Sequence, residues 1–469
     1  MSSDAAQSDL PQSDLPQLEA ARLDPARLER AQLEGAQLAP AGPRLKTVTL
    51  GCKVNQYETE FVRQGLHRIG FRDASREERA DVCVVNTCTV TSEGDSKSRQ
   101  VIRRLARQNP DSRIVVMGCY ATRAPEEVAA LPGVAEVVTD KRELPDLLGR
   151  FGVTDIPTGI DGFAGRKRAY VKIQDGCLLR CSYCIIPMVR PELTSRPLED
   201  VVAEVQRLTT AGHREVILTG IHLGHYGVDW NRQKPKSEWI RLAHLVERLA
   251  ELPGSGEFRI RLSSIEATEV TRELIDVLRR FPRRIVPHLH VCLQSGSDPV
   301  LRRMRRRWGT RMFLDRCQML RDALDQPALT TDVIVGFPGE TDADFERTLE
   351  TCRRAGFSKI HVFPFSPRRG TPAAEMADPV PDAVRSERVA ELLRLEAELR
   401  RDYFESLVGR RLQLLVDSVD RAEGTDEWIV RGTSCRYAPI ELVRQRRPEL
   451  SELLDVEAVT AEDDRILGR

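Results

Sequence analysis

Six of the eleven cysteines stand where ligands would stand. Cys177, Cys181 and Cys184 sit together in DGCLLRCSYCIIP, with no further Cys or His within 25 residues. Structural zinc sites close with four ligands. Three thiolates on one loop instead suit an iron–sulfur cluster with one iron left open to a substrate or cofactor. A zinc clip completed by a distant residue is the competing arrangement. The second set is dispersed: Cys52 in TLGCKVNQYETE, Cys88 in VVNTCTV and Cys119 in VVMGCYAT. Each follows a β-rich run, so a sheet could bring all three to one edge. Three small buried residues would be the plainer alternative, since free cysteine packs well in cores. Cys83 inside VCVV reads as such a core residue. Cys292, Cys317, Cys352 and Cys435 have no partner pattern and read as structural.

The elements that must position these thiols follow from periodicity. Over residues 46–149, KTVTLG, VCVVNT, RIVVMG and VAEVVT read as strands, with helical stretches between them. Strand–helix alternation at this spacing predicts a doubly wound parallel α/β domain. The crevice at the strand C-termini is the usual binding location in such a sheet. A second alternating block starts near Arg166 with AYVKIQ, EVILTG, FRIRLSS, HLHVCLQS, TTDVIVGF and KIHVFPF. Six βα units predict an open or partial (β/α)6 barrel with its working groups on the loops after the strands. Polar or glycine-rich strand ends there are Thr219 and Gly220, Ser263 and Ser264, Gln294 to Gly296, and Asp332 to Gly336. A charged helix over residues 381–404 leads into LQLLVDSV, EWIVRG, APIELVR and VEAVTA, short strands that predict a small antiparallel β-barrel.

Composition narrows the function classes. The 469 residues suggest about three domains. Lys plus Arg and Asp plus Glu both total 71, which excludes a wholesale polycation. No apolar run reaches the ~18 residues of a membrane span, and no secretory leader is evident. A cytoplasmic protein without membrane association is therefore expected, with cysteines serving metal or catalysis and not disulfides. Residues 1–43, with their ARLDP, ARLER, AQLEG and AQLAP repeat, read as a disordered low-complexity arm. Residues 279–311 carry 10 arginines and one acid, and residues 97–107 carry five basic residues and no acid. Both runs are candidates for phosphate contact, as against solvated helix faces.

With both triads in view the sequence resembles the radical S-adenosylmethionine (SAM) methylthiotransferases. TLGCKVNQYETE, NTCTVTSEGDSKSRQ, LTGIHLGHYG, LSSIEATEV, LQSGSDPVLRRM and VIVGFPGETDADF carry the resemblance, which runs from about Lys46 to the C-terminus. It implies a methylthiotransferase domain over 44–155, a radical SAM core over 163–398 and a TRAM-like RNA-binding barrel over 403–469. It also implies two [4Fe-4S] clusters and SAM as cofactors. Cys52, Cys88 and Cys119 would hold the auxiliary cluster, and Cys177, Cys181 and Cys184 the SAM cluster. Thr219, Gly220, Ser264, Gln294, Asp332 and Gly336 become candidate SAM contacts. No general base is nominated. The implied partners are tRNA, an electron donor such as flavodoxin or ferredoxin, and a sulfur source.

GCKVNQYETE, NTCTVT and LTGIHLG resemble most the branch acting at C2 of N6-threonylcarbamoyladenosine in tRNA, next to the anticodon. The isopentenyladenosine branch more usually reads GCQMN, and a third branch modifies an aspartate of a ribosomal protein. A non-enzymatic zinc RNA-binding protein is the alternative from another class. Two positions depart from the family pattern. Pro191 follows Arg190 where glycine is usual, and Cys292 replaces the proline usual before LQSG.

Overall fold

In the computed structural model, residues 42–253 and 257–469 are described. Of the expected arm, residues 1–41 lie outside the described residues. Five parallel strands open the chain: β1 (Arg44–Thr49), β2 (Arg72–Asp73), β3 (Val82–Thr87), β4 (Arg113–Gly118) and β5 (Val134–Val137), in the order β2-β1-β3-β4-β5. β3 is buried along its whole length and β4 nearly so, which explains their unbroken apolar sequence. The two-residue edge strand β2 left no periodic trace in the sequence. The order reverses at β1 and β3, and this switch point is where an open α/β sheet offers its crevice.

The second block supplies β6 (Arg168–Asp175), β7 (Thr194–Ser195), β8 (Glu215–Gly220), β9 (Arg259–Leu262), β10 (Ser264–Ile265), β11 (His288–Val291), β12 (Ala328–Val335) and β13 (Lys359–Pro364). They form two four-stranded sheets, β7-β6-β8-β9 and β10-β11-β12-β13, with a parallel bridge from Ile260 to Ile285 joining them. Apart from the short antiparallel β7, every pairing is parallel. The result is the expected open six-unit barrel, with its helices on the outside and one large apolar core.

The 25-residue helix Asp382–Ser406 leads to β14 (Arg411–Arg421), β15 (Trp428–Ser434), β16 (Pro439–Arg444), β17 (Leu453–Ala461) and β18 (Ile466–Gly468). These close as β14-β15-β16-β18-β17. Four of the strands were legible in the sequence, and the three-residue β18 that completes the closure was not. This barrel docks at the N-terminal ends of the β8 and β9 strands. Arg259, fully buried, donates to Glu215 and to the carbonyls of Gln413 and Thr433. A buried guanidinium is tolerable only when such partners surround it.

Candidate active site

Register brings the dispersed cysteines together. Thr49 lies opposite Asn86, and Asn86 opposite Met117, so β1, β3 and β4 end side by side. Cys52 caps the helix Lys53–Arg68, Cys88 follows β3, and Cys119 opens the helix Cys119–Arg123. Two glycines make the approach possible. Gly51 has φ +102°, and a Cβ there would sit 3.2 Å from Cys88 Sγ. Gly118 has φ +100°, and its Cβ would fall 2.4 Å from the backbone N and O of Thr87. Only glycine takes this backbone at such a contact. Burial raises the pKa of Cys88, and the neighbouring thiols Cys119 and Cys52 add to it.

The loop triad follows β6. Gly176, at φ +73°, precedes Cys177, and a Cβ there would lie 1.9 Å from the carbonyl oxygen of Glu192. The Leu179 amide donates to Cys177 Sγ at 3.4 Å, and Arg306 Nη1 donates to Cys181 Sγ at 3.4 Å. Arg306 also pairs with Glu266, which accepts from the indole of Trp308. Burial pushes the Cys177 thiol up to about 11 and that of Cys184 up to about 12. Thiols so placed ionise only beside a strong positive charge, which a metal centre provides.

All six cysteines are free thiols. A tetrahedral zinc with bonds of about 2.3 Å holds its thiolates roughly 3.8 Å apart. Among the described residues, the sets of three possible ligands whose atoms all lie within 4.8 Å are His290, Asp332, His361 and His222, Glu266, Glu269. Neither cysteine triad is among these sets. In the first of the two sets, His290 Nε2 lies 3.2 Å from Asp332. Burial opposes its charge, yet Asp332 and Cys292 outweigh burial and raise its pKa to about 10.

The two triads are bolted to each other. Cys119 packs with Ile185 and Val189, which directly follow the loop triad. Arg190 is buried and donates to Glu58 at 2.7 and 2.9 Å, to Asp175 at 2.7 Å and to Asn55 at 3.1 Å. Lys172 joins the same two carboxylates at 2.8 and 2.5 Å. Asn55 in turn lies 3.8 Å from Cys52 Sγ. Burial would raise the pKa of Glu58, but Arg190 and Lys172 win and hold it down at about 2. A second clamp runs from Arg368, after β13, to Thr89 and Asp95, just beyond Cys88. A cavity of about 610 Å³ is walled by Lys53, which directly follows Cys52, by the barrel lumen, and by Thr433, Tyr437 and Pro439 of the C-terminal barrel.

Residues 44–140 match the family described as Uncharacterized protein family UPF0004, and residues 171–352 match the Radical SAM superfamily. The threonylcarbamoyladenosine tRNA methylthiotransferase MtaB of Bacillus subtilis (strain 168) is 44% identical, covering 78% of this chain and 83% of that one. Its namesake from Thermotoga maritima is 36% identical, covering 80% and 87%. The chain belongs to the threonylcarbamoyladenosine tRNA methylthiotransferase family. A tRNA-2-methylthio-N(6)-dimethylallyladenosine synthase of Corynebacterium urealyticum is 34% identical, over 78% of this chain and 71% of that one. Among solved structures, the radical SAM methyltransferase TsrM of Kitasatospora setae shares the fold at TM-score 0.53 and 14% identity, covering 71% and 77%.

Within this family frame the candidate SAM contacts separate. Ser264 and Asp332 line the cavity. Thr219 is buried on β8 opposite Lys172. Gly220 leaves room for Gln174, whose side chain accepts from the His222 amide. Gln294, at φ +65°, bridges to Val333, and Gly336 packs on Arg385. The structure thus gathers two of the six at the cavity and places four elsewhere. The arginine run also divides. Arg306 turns inward to Cys181, while Arg302, Arg305, Arg307 and Arg311 stay exposed. In the other run Arg99 is committed to Tyr120 and Glu127, and Arg103, Arg104 and Arg107 are exposed. Sequence reasoning missed Lys53, Glu58, Arg190, Arg261, Glu266 and His290. The Arg190–Glu58 pair spans more than a hundred residues, and of the six only Arg261 and His290 lay in stretches that the strand pattern singled out.

Proposed function

We infer that this protein is a radical SAM methylthiotransferase that adds a methylthio group to C2 of N6-threonylcarbamoyladenosine in tRNA, next to the anticodon. The observation that carries this reading is the pairing of two cysteine triads across one interface, beside a cavity walled by all three domains. Its cofactors are SAM and [4Fe-4S] clusters. Cys177, Cys181 and Cys184 would hold the cluster that binds SAM, and Cys52, Cys88 and Cys119 the auxiliary one. When bound, these groups supply the radical and sulfur chemistry that an adenine C2–H bond, inert to ordinary acid–base catalysis, requires.

The chain's own residues bind, orient and exclude water. Arg306 fixes the Cys181 thiol and is itself fixed by Glu266. The Arg190 cluster keeps one triad at a set distance from the other, since a buried ion-pair network breaks only at large cost. The cavity is of nucleoside-binding size. Exposed Arg302, Arg305, Arg307 and Arg311 are the candidates for tRNA phosphate contact. An electron donor such as flavodoxin or ferredoxin and a sulfur source complete the partners, and a tRNA substrate places the enzyme in the cytoplasm. Among the described residues no helix is long and apolar enough to cross a membrane.

Mass spectrometry of tRNA nucleosides from a deletion strain tests the reading. Loss of the 2-methylthio form of threonylcarbamoyladenosine, restored by the intact gene, is the expected result. Loss of the methylthio mark from dimethylallyladenosine instead would move the enzyme to the neighbouring branch. Iron and sulfide analysis after anaerobic reconstitution tests the clusters.

A further inference from the structure

The shared cavity holds two cationic side chains with hydrogen-bond donors that no acceptor meets. Arg261 is 2% exposed and spends Nε and Nη2 on Glu215 and on the Ser434 carbonyl. Its Nη1 is buried without a hydrogen-bond partner. Lys53 lines the same cavity and makes no hydrogen bond or ion pair among the described residues. The remaining charges of the wall are satisfied. Arg168 lies between Glu215 and Asp417, and Asp332 is held by His290. An unmet donor on a buried cation is costly, so this pair is arranged for an acceptor that arrives with a ligand.

We propose that Lys53 and Arg261 form the receptor for the carboxylate of the threonylcarbamoyl group, so that the cavity selects its adenosine by negative charge. The inference rests on the activity proposed above. The N6 arm of that nucleoside is a threonine joined through a carbamoyl group and ends in a free carboxylate, whereas a dimethylallyl arm carries no charge. A guanidinium N–H and an ammonium together match a carboxylate, the first by direction and the second as a point charge. Lys53 directly follows Cys52, so an arm anchored there keeps its adenine beside the auxiliary triad. Tyr437 stacks on Arg261 at 5.1 Å and brings the C-terminal barrel into the same receptor.

The test uses the full chain with both clusters reconstituted and two anticodon stem-loop RNAs. One carries threonylcarbamoyladenosine, and the other carries the same arm with its carboxylate converted to a neutral carboxamide. Equilibrium binding should favour the charged RNA by roughly tenfold or more in the wild type. Lys53→Met should remove that preference by weakening the charged RNA alone, and Lys53→Arg should restore most of it. Equal binding of the two RNAs by the wild type would overturn the receptor, as would equal weakening of both by Lys53→Met. A drop in SAM affinity in Lys53→Met would assign the pair to the carboxylate of SAM and also overturn it. Product formation read by mass spectrometry separates the two claims. Methylthio product on the charged RNA without a binding preference leaves the activity standing and the receptor refuted. Product on a dimethylallyl RNA only refutes both.

Discussion

The two cysteine triads reach similar ends by opposite means. Cys177, Cys181 and Cys184 share one loop, and their proximity is written in eight consecutive residues. Cys52, Cys88 and Cys119 meet only because β1, β3 and β4 are neighbours that end in register. Yet each set depends on glycine directly before cysteine, at Gly51, Gly118 and Gly176, all at positive φ. At Gly118 and Gly176 the missing Cβ lets one backbone segment press against another, and at Gly51 it makes room for the Cys88 side chain. The loop triad therefore survives small movements of the sheet, whereas the strand-end triad is as fixed as the fold of its domain.

The largest expected effects test whether the triads have separate duties. Cys177→Ala, Cys181→Ala or Cys184→Ala should each abolish SAM cleavage, because a cluster with an open iron needs all three thiolates. Normal 5′-deoxyadenosine formation in any of them would end the comparison. The triple variant Cys52→Ala, Cys88→Ala, Cys119→Ala should lose about half of its iron and all methylthio product while still cleaving SAM. Unchanged iron in that variant would mean the dispersed cysteines hold no cluster.

The glycines sharpen the contrast at the next level down. Gly118→Ala places a methyl group against the Thr87 backbone at a φ that L residues avoid, and should cost about 3 kcal/mol or more. Because the strand-end triad depends on that contact, auxiliary-cluster iron should fall with stability in a thermal melt. Gly176→Ala strikes a loop. It should shift the spectrum of the SAM cluster while the melting of the first domain moves little. Equal effects of both variants on both clusters would show that the triads are not independent.

The Arg190 clamp joins the two regions, and its pH response follows from Glu58. Glu58 is held near 2, against an ordinary value of 4.5. A depressed carboxylate contributes stability that is complete above about pH 4.5 and is lost as pH falls through about 2. Acid unfolding of the wild type, followed on the cluster-free chain by tryptophan fluorescence, should steepen in that window. Glu58→Gln should flatten the response there and cost about 3 kcal/mol at neutral pH, since it leaves Arg190 short of a buried partner. A flat profile in the wild type would show that the clamp does not hold the domains.

What the sequence disclosed follows the same division between local and distant. The strands of all three domains were legible from periodicity, as were both triads, since strand ends are marked by turns in apolar patterning. β2, β7 and β18 were not, because strands of two and three residues have no period. Strand ends also do not say which way a side chain faces. Ser264 and Asp332 line the cavity, and Thr219, Gly220, Gln294 and Gly336 do not. Arg306 lay hidden in a run of arginines that reads as a phosphate-binding surface. Only its distant partners, Cys181 and Glu266, distinguish it from exposed Arg305 and Arg307. Pro191 likewise reads as a disturbance, yet Arg190 before it is the best-connected side chain between the triads.

The smallest expected effect is the control for the whole comparison. Cys83 lies on β3, upstream of Cys88, fully buried between β1 and β4, with Lys46 and Ile114 opposite it in register. Its thiol donates weakly to Ser112 at 3.7 Å, and burial raises its pKa. It faces a core cluster with Val85, Ile114 and Val116, away from the strand ends. Cys83→Ala removes one sulfur from a packed interior and should cost about 1 kcal/mol, as typical substitutions do. Iron content and methylthio product should stay at wild-type levels. If a buried thiol in mid-strand proved as necessary as Cys88 at the strand end, position along the strand would not decide ligation. The auxiliary cluster would then have to be sought among other cysteines.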